Sequence, residues 1–529
     1  MTRPFKDVKF LKLRFGGGLH SRASEEDIDP RECHDGENFA LDADNQQFRP
    51  RSPFDLIGTL PNGSEVRGGG TLVKSDGTIK TFIQGGSTVY EWDGASGFTN
   101  IGTVSATAKL RGRLEHNWQL DDKVLITDLA LVDPVKEWDG TTFQSATFTD
   151  EEGYNFGTFR ARYCYVSNER AIFANVHSNG TNTPHLIVGS QRGSYTVITI
   201  VNRPSSAASA QDPFFLIQPD NQYINGIVEA LGETIISSQL GSIYKLTGAD
   251  STNFAMDLLL PRGGVAGDES LNLAINDIVY GSQGRIESVA ATDKFGDVET
   301  NDLSFWISDQ VEDFGDWLVA TNRRLQRTYF HPVNESVIYV LHHALIGSQV
   351  SPWSKWTTYH SFSFNPTFMM NLMNPVDGLE YVIMGDSSGN VYRLEGTGTA
   401  GDGGTTALNT FRLSKLFSAE TEGKIFDGEG YIRYRKQNDV TLTMNMEYSG
   451  EHIYKETITF TIPSADFDTV YGTTAFYGTQ YFYGTDDQLI ARQPFTFPGS
   501  SNDFQIRITV NDVDSFTVNE IGFRYEESN

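Results

Sequence analysis

A chain of 529 residues is too long for one small hydrophobic core, so the sequence predicts at least two independently packed regions. Its formal charge of −27 disfavours tight binding to nucleic acid or to an anionic membrane, because such binding depends on Lys and Arg side chains that neutralise phosphates. The sequence has neither an apolar run long enough to span a membrane nor a signal peptide, so we expect a protein that is made and assembled in a cytoplasm.

The N-terminal segment, residues 1–67, lacks the strand-and-turn pattern of the residues after it, and we expect it to latch a ring of sheets. Apolar residues alternate over Val8–Leu13, so this stretch can supply a strand to that ring. The glycines Gly16–Gly18 follow no strand-and-helix pattern and precede no Gly-Lys-Ser/Thr sequence, which indicates a bulge or a close backbone crossing and disfavours a phosphate-binding loop. Two cysteines, Cys33 and Cys164, are too few for a disulfide framework and are predicted to be buried thiols.

A repeated stretch organises the middle of the chain. Val89–Gly94 ends in Glu-Trp-Asp-Gly and returns as Val135–Gly140 after about 46 residues, which is the length of one β-propeller blade. Degenerate copies follow at Ile243–Gly248 and Val391–Gly396. Asp-Gly and Gly-Gly pairs separate short β-rich runs upstream of the first copy, as hairpin turns do. Residues 68–397 are therefore predicted to form a propeller of six or seven blades, each a meander of short antiparallel strands.

The pattern changes after the propeller. Glycine is concentrated in residues 398–410, which indicates a linker. Beyond it, apolar residues alternate with a period of two over longer stretches, for example Val440–Tyr448 and Phe504–Val510. Strands with one buried face pack in pairs of sheets, so residues 411–529 are predicted to form a C-terminal β-sandwich.

A strict six-residue repeat lies between the predicted strands of the sandwich. It places Tyr471, Tyr477 and Tyr483 each before a Gly-Thr pair. Tyrosines presented on glycine-containing turns make an amphipathic contact surface, and such surfaces are common at protein interfaces. We therefore take these three tyrosines as candidate interface residues, with an ordinary loop as the alternative.

Sequence motifs of enzymes are missing. The chain contains no nucleophile elbow, zinc-protease helix, P-loop or Cys/His zinc spacing, and we expect no catalytic residues, no cofactor and no metal. A pair of glycosidase carboxylates would converge only in the fold, so such a pair stays open. The turns Ser75–Thr78 and Asp386–Gly389 are similar to the turn boxes of sialidase propellers, but they match plain hairpins equally well. The alternative function is therefore a carbohydrate-binding or glycan-cleaving propeller on a virion or cell surface.

Several of these motifs together resemble a known class of proteins. They are Phe15–Leu19 with its three glycines, the run Glu32-Cys33-x-Asp35-Gly36-x-Asn38-Phe39, and Arg51, followed by the Glu-Trp-Asp-Gly blade ends and the Tyr-Gly repeats. In this order of parts, essentially the whole chain resembles the β-propeller tail proteins of tailed bacteriophages. The nearest likeness is to the nozzle, or tail-hub, proteins of short-tailed phages.

The resemblance implies a structural role in the virion tail, reached after assembly in the host cytoplasm. Proteins of this class form rings with copies of themselves, usually hexamers, and lie below the portal and the head–tail adaptor. Their channel passes the genomic DNA during ejection, and their outer surface carries tail fibres or a distal plug. The family has no catalytic residues to match to this sequence, and the chain is more compact than the larger nozzle proteins.

Overall fold

The computed structural model is an all-β chain, and its strand pairing confirms the predicted β-propeller class. The structure describes residues 7–42, 47–150, 153, 155–178, 180–200, 211–230, 233–238, 242–248, 251, 253–261, 264–275, 277–292, 297–357, 365–396, 402, 410–418, 424–436, 440–448, 454–462, 490–501, 503–510 and 516–528. None of the helices in these ranges has the length and apolar character that a membrane crossing requires.

The strands before the propeller are β1 (Asp7–Leu13), β2 (Asp35–Glu37), β3 (Phe39–Asp42), β4 (Gln47–Pro50) and β5 (Asp55–Thr59). The strands of the first four blades are β6 (Val66–Val73), β7 (Ile79–Gly85), β8 (Thr88–Trp92) and β9 (Phe98–Thr103); β10 (Leu110–Gly112), β11 (Asn117–Trp118), β12 (Lys123–Asp128), β13 (Lys136–Trp138) and β14 (Phe143–Ser145); β15 (Phe159–Ser167), β16 (Arg170–Ser178), β17 (Thr181–Gly189) and β18 (Phe214–Ile217); and β19 (Ile224–Ala230), β20 (Glu233–Ser238), β21 (Ile243–Thr247) and β22 (Ala255–Leu260).

The strands of the last three blades are β23 (Leu271–Leu273), β24 (Ile278–Ser282), β25 (Arg285–Thr292) and β26 (Asp297–Asp302); β27 (Trp317–Asn322), β28 (Arg327–Pro332), β29 (Val337–His342) and β30 (Trp353–Thr357); and β31 (Pro366–Met373), β32 (Glu380–Asp386) and β33 (Asn390–Arg393). Short 3-10 helices span Leu114–His116, Leu303–Ile307 and His343–Leu345, and an α-helix spans Ser308–Val311. The C-terminal strands are β34 (Thr410–Leu413), β35 (Phe417–Ser418), β36 (Lys424–Lys436), β37 (Val440–Tyr448), β38 (Tyr454–Ile462), β39 (Ile490–Ser501), β40 (Asp503–Val510) and β41 (Phe516–Ser528).

Within the described ranges we divide the propeller strands into seven successive antiparallel groups and number them blades 1 to 7, although blades 1 and 2 are joined into one nine-stranded sheet by the parallel pair β6–β10. The first strand of each blade, or in blade 2 the segment around it, contacts the first strand of the next, and β31 of blade 7 returns to β6 of blade 1. The inner strands therefore form a closed ring around one axis, as in a propeller.

The ring is closed by a strand from the N-terminal segment. Blade 7 takes three strands from its own stretch of chain, and its fourth is β5, which pairs with β33 through Asp55↔Arg393 to Thr59↔Asn390. A latch is thus present, but the stretch Val8–Leu13 does not supply it. That stretch lies in β1, which pairs with β41 near the C-terminus. The prediction of which strand closes the ring was wrong because alternation shows that a strand forms and carries no information about its partner.

The Glu-Trp-Asp-Gly repeats lie at the end of the next-to-last strand of their blades. Trp92 and Trp138 are the last residues of β8 and β13, and both indole rings are buried. Gly94 and Gly140 both have φ of 86°, a left-handed conformation that glycine adopts at little cost. The Asp93 carboxylate accepts hydrogen bonds from two backbone N–H groups of the turn, at 2.8 and 3.0 Å. The prediction of a strand followed by a turn is confirmed.

The C-terminal strands form two antiparallel sheets that also contain N-terminal strands. One sheet has the order β3-β4-β41-β36-β39, with β1 also paired to β41, and the other has the order β2-β34-β40-β37-β38, with β35 also paired to β40. Ile432 and Ile521 of the first sheet and Met444 and Ile508 of the second belong to one buried cluster, which also includes Trp353 of blade 6. The apolar faces of the two sheets therefore pack together and against the propeller.

This arrangement corrects the predicted domain boundaries. Residues 1–67 were expected to form a separate extension, but β1 to β4 lie in the two C-terminal sheets and β5 lies in the propeller. Residue 402, expected in a glycine-rich linker, is buried. The physical reason is that backbone groups at a sheet edge need hydrogen-bond partners, and the first strands of the chain provide them for strands placed far along the sequence.

Candidate functional site

The candidate interface residues Tyr471, Tyr477 and Tyr483 lie outside the described residues. Two other regions contain the candidate sites. The first is the junction at which the N-terminal motif residues meet blade 6, and the second is the axis of the propeller.

The triple-glycine stretch is a close backbone crossing, as predicted. Gly18 and Leu19 donate backbone hydrogen bonds to the carbonyls of Ser351 and Trp353, each at 2.7 Å. A Cβ atom on Gly18 would lie 2.0 Å from the Trp353 carbonyl oxygen. Any side chain here would prevent the contact, so glycine is required for the N-terminal segment to lie against blade 6.

Glu32 is a buried acceptor at the same junction, with 1 % of its surface exposed. Its Oε1 accepts a hydrogen bond from the backbone N–H of Ser351, and its Oε2 accepts one from the N–H of Asp29 at 3.1 Å. Nδ1 of His20 lies 2.8 Å from the same Oε2. One carboxylate thus fastens two parts of the N-terminal segment to blade 6, and hydrogen bonds to a buried carboxylate are among the stronger ones in proteins.

Asn38 continues the junction along β30. Its backbone N–H donates to the carbonyl of Lys355 at 2.8 Å, and its Oδ1 accepts hydrogen bonds from the N–H of Thr357 at 2.9 Å and from Nε of Arg51 at 3.0 Å. Its φ is 58°, a left-handed conformation that asparagine adopts more readily than most residues. The motif residue Asn38 therefore connects the outer strand of blade 6 to the motif residue Arg51.

Arg51 forms a fully buried ion pair with Asp402. Its Nη1 donates to Asp402 Oδ1 at 2.9 Å and its Nη2 donates to Oδ2, while the N–H of Phe54 donates to the same Oδ1 at 2.9 Å. The guanidinium lies 3.9 Å from the centre of the Phe54 ring. The pair joins residues 351 positions apart in the chain, and it holds the segment just before β5, the strand that closes the ring.

The two cysteines are buried thiols, as predicted. Burial raises the pKa of Cys33 to about 12, and it also raises the pKa of Cys164. Both side chains are therefore protonated at neutral pH, and neither is a nucleophile.

The axis of the propeller is crossed by a second buried ion pair. Arg111 lies on β10 of blade 2, and its guanidinium pairs with the carboxylate of Glu269, which precedes β23 of blade 5. Nη1 also donates to the carbonyl of Arg67 in blade 1 at 2.7 Å, and the guanidinium lies 5.1 Å from the ring of Phe368 in blade 7. Burial acts to raise the pKa of Glu269, but the charge and hydrogen bonds of Arg111, together with the charges of Arg113 and Lys109, hold the pKa below its ordinary value.

Arg111 therefore contacts groups of blades 1, 5 and 7 from blade 2, and a single propeller is closed on its axis at this level. This pair was not predictable from the sequence. Its members are 158 residues apart, and neither belongs to a local motif.

A shallow polar cleft, open to solvent, also lies where the inner strands of the blades meet. Side chains from five blades line it: Arg113, Leu114, Glu115, Val228, Asn272, Leu273, Val319, Arg323, Met369, Met370, Asn371 and Glu380. The amides of Asn272 and Asn371 donate to backbone carbonyls of Val319 and Thr321 at 3.0 and 2.6 Å. These two side chains are thus used to hold blades 5 and 7 against blade 6.

Across the described ranges, no group of three or more His, Cys, Asp or Glu side chains is arranged to hold a metal ion. In the two turns that are similar to sialidase boxes, Asp76 and Asp386 accept hydrogen bonds from backbone N–H groups of Thr78 and Ser388, both at 2.8 Å. Both aspartates therefore have the role of stabilising a hairpin turn.

Comparison with known proteins assigns no family to this chain. No protein-family model and no curated protein matches the sequence. Among solved structures, the chain is similar to a catalytically inactive virginiamycin B lyase from Staphylococcus aureus with quinupristin (10 % identity, 64 % of this chain and 97 % of that chain, TM-score 0.39). It is also similar to YCF48 from Cyanidioschyzon merolae (8 %, 65 % and 99 %, 0.40) and to the Pan2 WD40 domain of Neurospora crassa (9 %, 66 % and 97 %, 0.40). Similarity at this level concerns the fold alone.

Proposed function

We propose that the chain is a non-enzymatic structural protein of a bacteriophage tail, a nozzle or hub subunit that assembles into a ring through which DNA is ejected. One observation carries the proposal. The residues on which the resemblance to tail proteins rests, among them Gly18, Glu32, Asn38 and Arg51, are the residues that fasten the N-terminal segment to blade 6. The motif thus has a mechanical role in this chain.

These contacts hold the junction firmly because the charged groups that form them are buried. Breaking a buried ion pair by removing one partner costs about 3–5 kcal/mol, because the remaining charge is left unpaired in a medium of low dielectric. The shared hydrophobic cluster joins blade 6 to the C-terminal sheets, the Glu32 contacts fasten the N-terminal segment to blade 6, and the Arg51–Asp402 pair holds together two segments that connect these parts. A subunit built in this way resists bending between its parts, which suits a component that carries load between a capsid and its tail fibres.

The ring is proposed to be a hexamer of this chain in the virion tail. Its neighbours would be the head–tail adaptor or another portal-side protein on one side and tail fibres or a distal plug on the other. An interface repeated by rotation closes a ring, and the aromatic side chains of Tyr471, Tyr477 and Tyr483 are of the kind that anchor such interfaces. Electron microscopy of the purified native protein tests the ring directly, and a monomer under all conditions would contradict it.

The triple variant Tyr471→Ser, Tyr477→Ser, Tyr483→Ser tests the tyrosine repeat. We expect it to fold, with an unchanged circular dichroism spectrum, and to fail to enter particles when it replaces the wild-type protein during phage assembly. A variant with Tyr223→Ser, an exposed tyrosine of the propeller, is the matched control. Normal incorporation of the triple variant would exclude the repeat from the interface.

The conduit is proposed to be lined by an acidic surface that DNA passes without sticking. Since Arg111 and Glu269 close the axis of each propeller, the conduit would lie between subunits. At physiological salt the repulsion between an acidic wall and the phosphates decays within about 8 Å, so it would keep the duplex centred and add little resistance along the channel. Lys and Arg would instead bind phosphates and stall transit.

Binding to duplex DNA tests the conduit. We expect the purified protein to show no measurable binding even at about 50 mM salt, where attraction to a basic patch is strongest. The basic N-terminus with Lys6, Lys9 and Lys12 is the region that could bind. Micromolar binding that disappears when these lysines are neutralised would show that the surface is adhesive and would contradict the conduit mechanism.

A second function, recognition of a glycan by the propeller, is favoured by the shallow polar cleft. Its lining combines Arg113 and Arg323 with Glu115, and such a mixture of donors and acceptors suits polyhydroxyl ligands. A glycan array probed with the wild type and with Arg323→Ala would separate the functions. Binding that is lost in the variant would support glycan recognition. An array on which the wild type binds no glycan would contradict it and favour the structural role in the tail.

A further inference from the structure

Two histidines are buried at the seam between blades 6 and 7. His331 on β28 and His342 on β29 are 0 % and 4 % exposed. They alternate along their strands with Tyr329 and Val340, which belong to a hydrophobic cluster that also contains Met384 of blade 7. Because alternate residues of a strand lie on the same face, both imidazoles face blade 7.

This seam is the one that closes the ring. Among the seven blades of the described ranges, only blade 7 takes its outer strand, β5, from a distant part of the chain. Phe54, which precedes β5, belongs to the same hydrophobic cluster as Tyr329, and its aromatic ring is centred 6.3 Å from that of Trp356 on β30. The Arg51–Asp402 pair holds the backbone of Phe54. The contacts of this seam therefore help to hold the ring-closing strand in place.

His342 lies beside positive charges. Arg327 is its direct partner across β28 and β29, and the buried guanidinium of Arg327 donates to Oε1 of Glu395 at 2.5 Å. Burial holds the pKa of His342 well below its ordinary value. The charges of Arg327, of Arg49 on β4 and of a protonated His343 act in the same direction. Glu395 is already paired with Arg327, so it does not balance a further charge on His342.

The surroundings of the two imidazoles differ. Nε2 of His342 lies 2.9 Å from Oγ of Ser354, a fully buried hydroxyl on β30. Nδ1 of His331 lies 2.9 Å from the carbonyl oxygen of Val337, and the carbonyl of Pro366 in blade 7 also faces this ring. Burial lowers the pKa of His331 to about 4, and no charged side chain of the described residues acts on it. A proton added to His331 therefore meets acceptors, whereas one added to His342 meets cations.

We propose that the seam between blades 6 and 7 is an acid-sensitive switch, in which protonation of His342 sets its charge against Arg327 and Arg49, parts the two blades and releases β5. Once the seam is open, water reaches the imidazole, which then binds a proton with the ordinary pKa of about 6.5. Because the closed seam binds this proton more weakly, opening is favoured as the pH falls below about 6.5, and the closed ring is favoured above it. The proposal does not depend on the tail function.

Hydrogen exchange of the full chain, followed by mass spectrometry as the pH is lowered and corrected for the intrinsic exchange rate, measures the opening of the seam. The equilibrium constant of an opening that takes up one proton rises about tenfold for each pH unit below about 6.5. We expect this rise in the peptides that contain β5 and β33, and a flat profile in those that contain β7 and β8 of blade 1. An equal profile in both regions, or no rise in β5 and β33, would overturn the proposal, and this comparison needs no variant.

Two variants locate the proton. His342→Gln has no titratable group, and its side-chain amide can still form a hydrogen bond to Ser354, so we expect β5 and β33 to stay protected in acid. His116→Gln is the matched control, because His116 is also buried and lies where blade 2 packs against β15 of blade 3. It should leave the acid response of β5 unchanged. A response that persists in His342→Gln, or that disappears in His116→Gln, would overturn the assignment to His342.

Discussion

The buried pair Arg51–Asp402 offers a direct test of how the chain is held closed. Asp402→Ala removes the acceptors of two guanidinium N–H groups and of the N–H of Phe54. The guanidinium is fully buried, but it keeps three acceptors in Asn38 Oδ1, Ser52 O and Thr357 O, at 3.0, 3.0 and 3.3 Å.

The remaining acceptors place the cost at the lower end of the range for breaking a buried pair, about 3 kcal/mol. Because the entropy of unfolding grows with chain length, this free energy corresponds to a fall in melting temperature of about 3 °C for a chain of this size. Differential scanning calorimetry measures the fall. Limited proteolysis should also show earlier cleavage near β5, since Phe54 at its start loses its hydrogen bond to Asp402.

Two further variants decide whether the reasoning is right. The double variant Arg51→Met, Asp402→Leu removes both charges, and we expect it to recover most of the lost stability, because an apolar pair leaves no charge unpaired. Arg192→Gln breaks an exposed pair with Glu169 and should leave the transition unchanged. The reasoning is refuted if Asp402→Ala melts like the wild type, or if the double variant is as unstable as the single one.

Four other outcomes are expected. Deletion of residues 1–15 should lower the melting temperature by several degrees, because it removes β1 from its pairing with β41, and an unchanged calorimetric transition would show that β1 does not stabilise the sheet. Gly18→Ala should destabilise the chain, because its Cβ would meet the blade-6 backbone, whereas Gly315→Ala has open space and should not; equal melting curves would contradict the close crossing. Both cysteines should resist Ellman's reagent until the protein is denatured, because burial raises their pKa; rapid reaction in the native state would refute this. Burial lowers the pKa of His116 to about 3, below the ordinary 6.5, so its contribution to stability is complete above about pH 6.5 and is lost as the pH falls towards 3, by up to about 1.4 kcal/mol per pH unit. His116→Gln should flatten the pH dependence of the melting temperature in this window, and a curve parallel to that of the wild type would exclude His116 as a contributor.

Local features of the chain were predictable. Gly94 and Gly140 end strands because an Asp-Gly pair forms a tight turn whatever the rest of the chain does, and the spacing of these turns fixes the length of a blade. Gly18 was predicted to lie at a bulge or a close backbone crossing, because the glycine run lacks the flanking sequence of a phosphate-binding loop. The burial of the two cysteines was likewise predictable from their small number and from the absence of a Cys/His metal-binding spacing.

Which strand pairs with which was decided only by the tertiary structure. The alternation in Val8–Leu13 identifies a strand, but its partner is β41, while the ring is closed by β5, whose sequence Asp-Leu-Ile-Gly-Thr gives no sign of that role. Strand pairing depends on backbone groups that are the same in every residue, so the partner is selected by the packing of whole sheets.

The partners of the buried charged side chains were likewise decided only by the tertiary structure. Arg51 pairs with Asp402, which is 351 residues away in the chain, and Arg111 pairs with Glu269, which is 158 residues away. An isolated arginine in a sequence is most often a solvated surface residue, and it becomes a fastening point only when the fold excludes water around it and brings a carboxylate to it. The sequence by itself therefore determined the strands, the turns and the blade length, because these depend on residues that are neighbours in the chain. The fold decided which strand closes the ring and which buried charges are paired, because these depend on segments that meet only after folding.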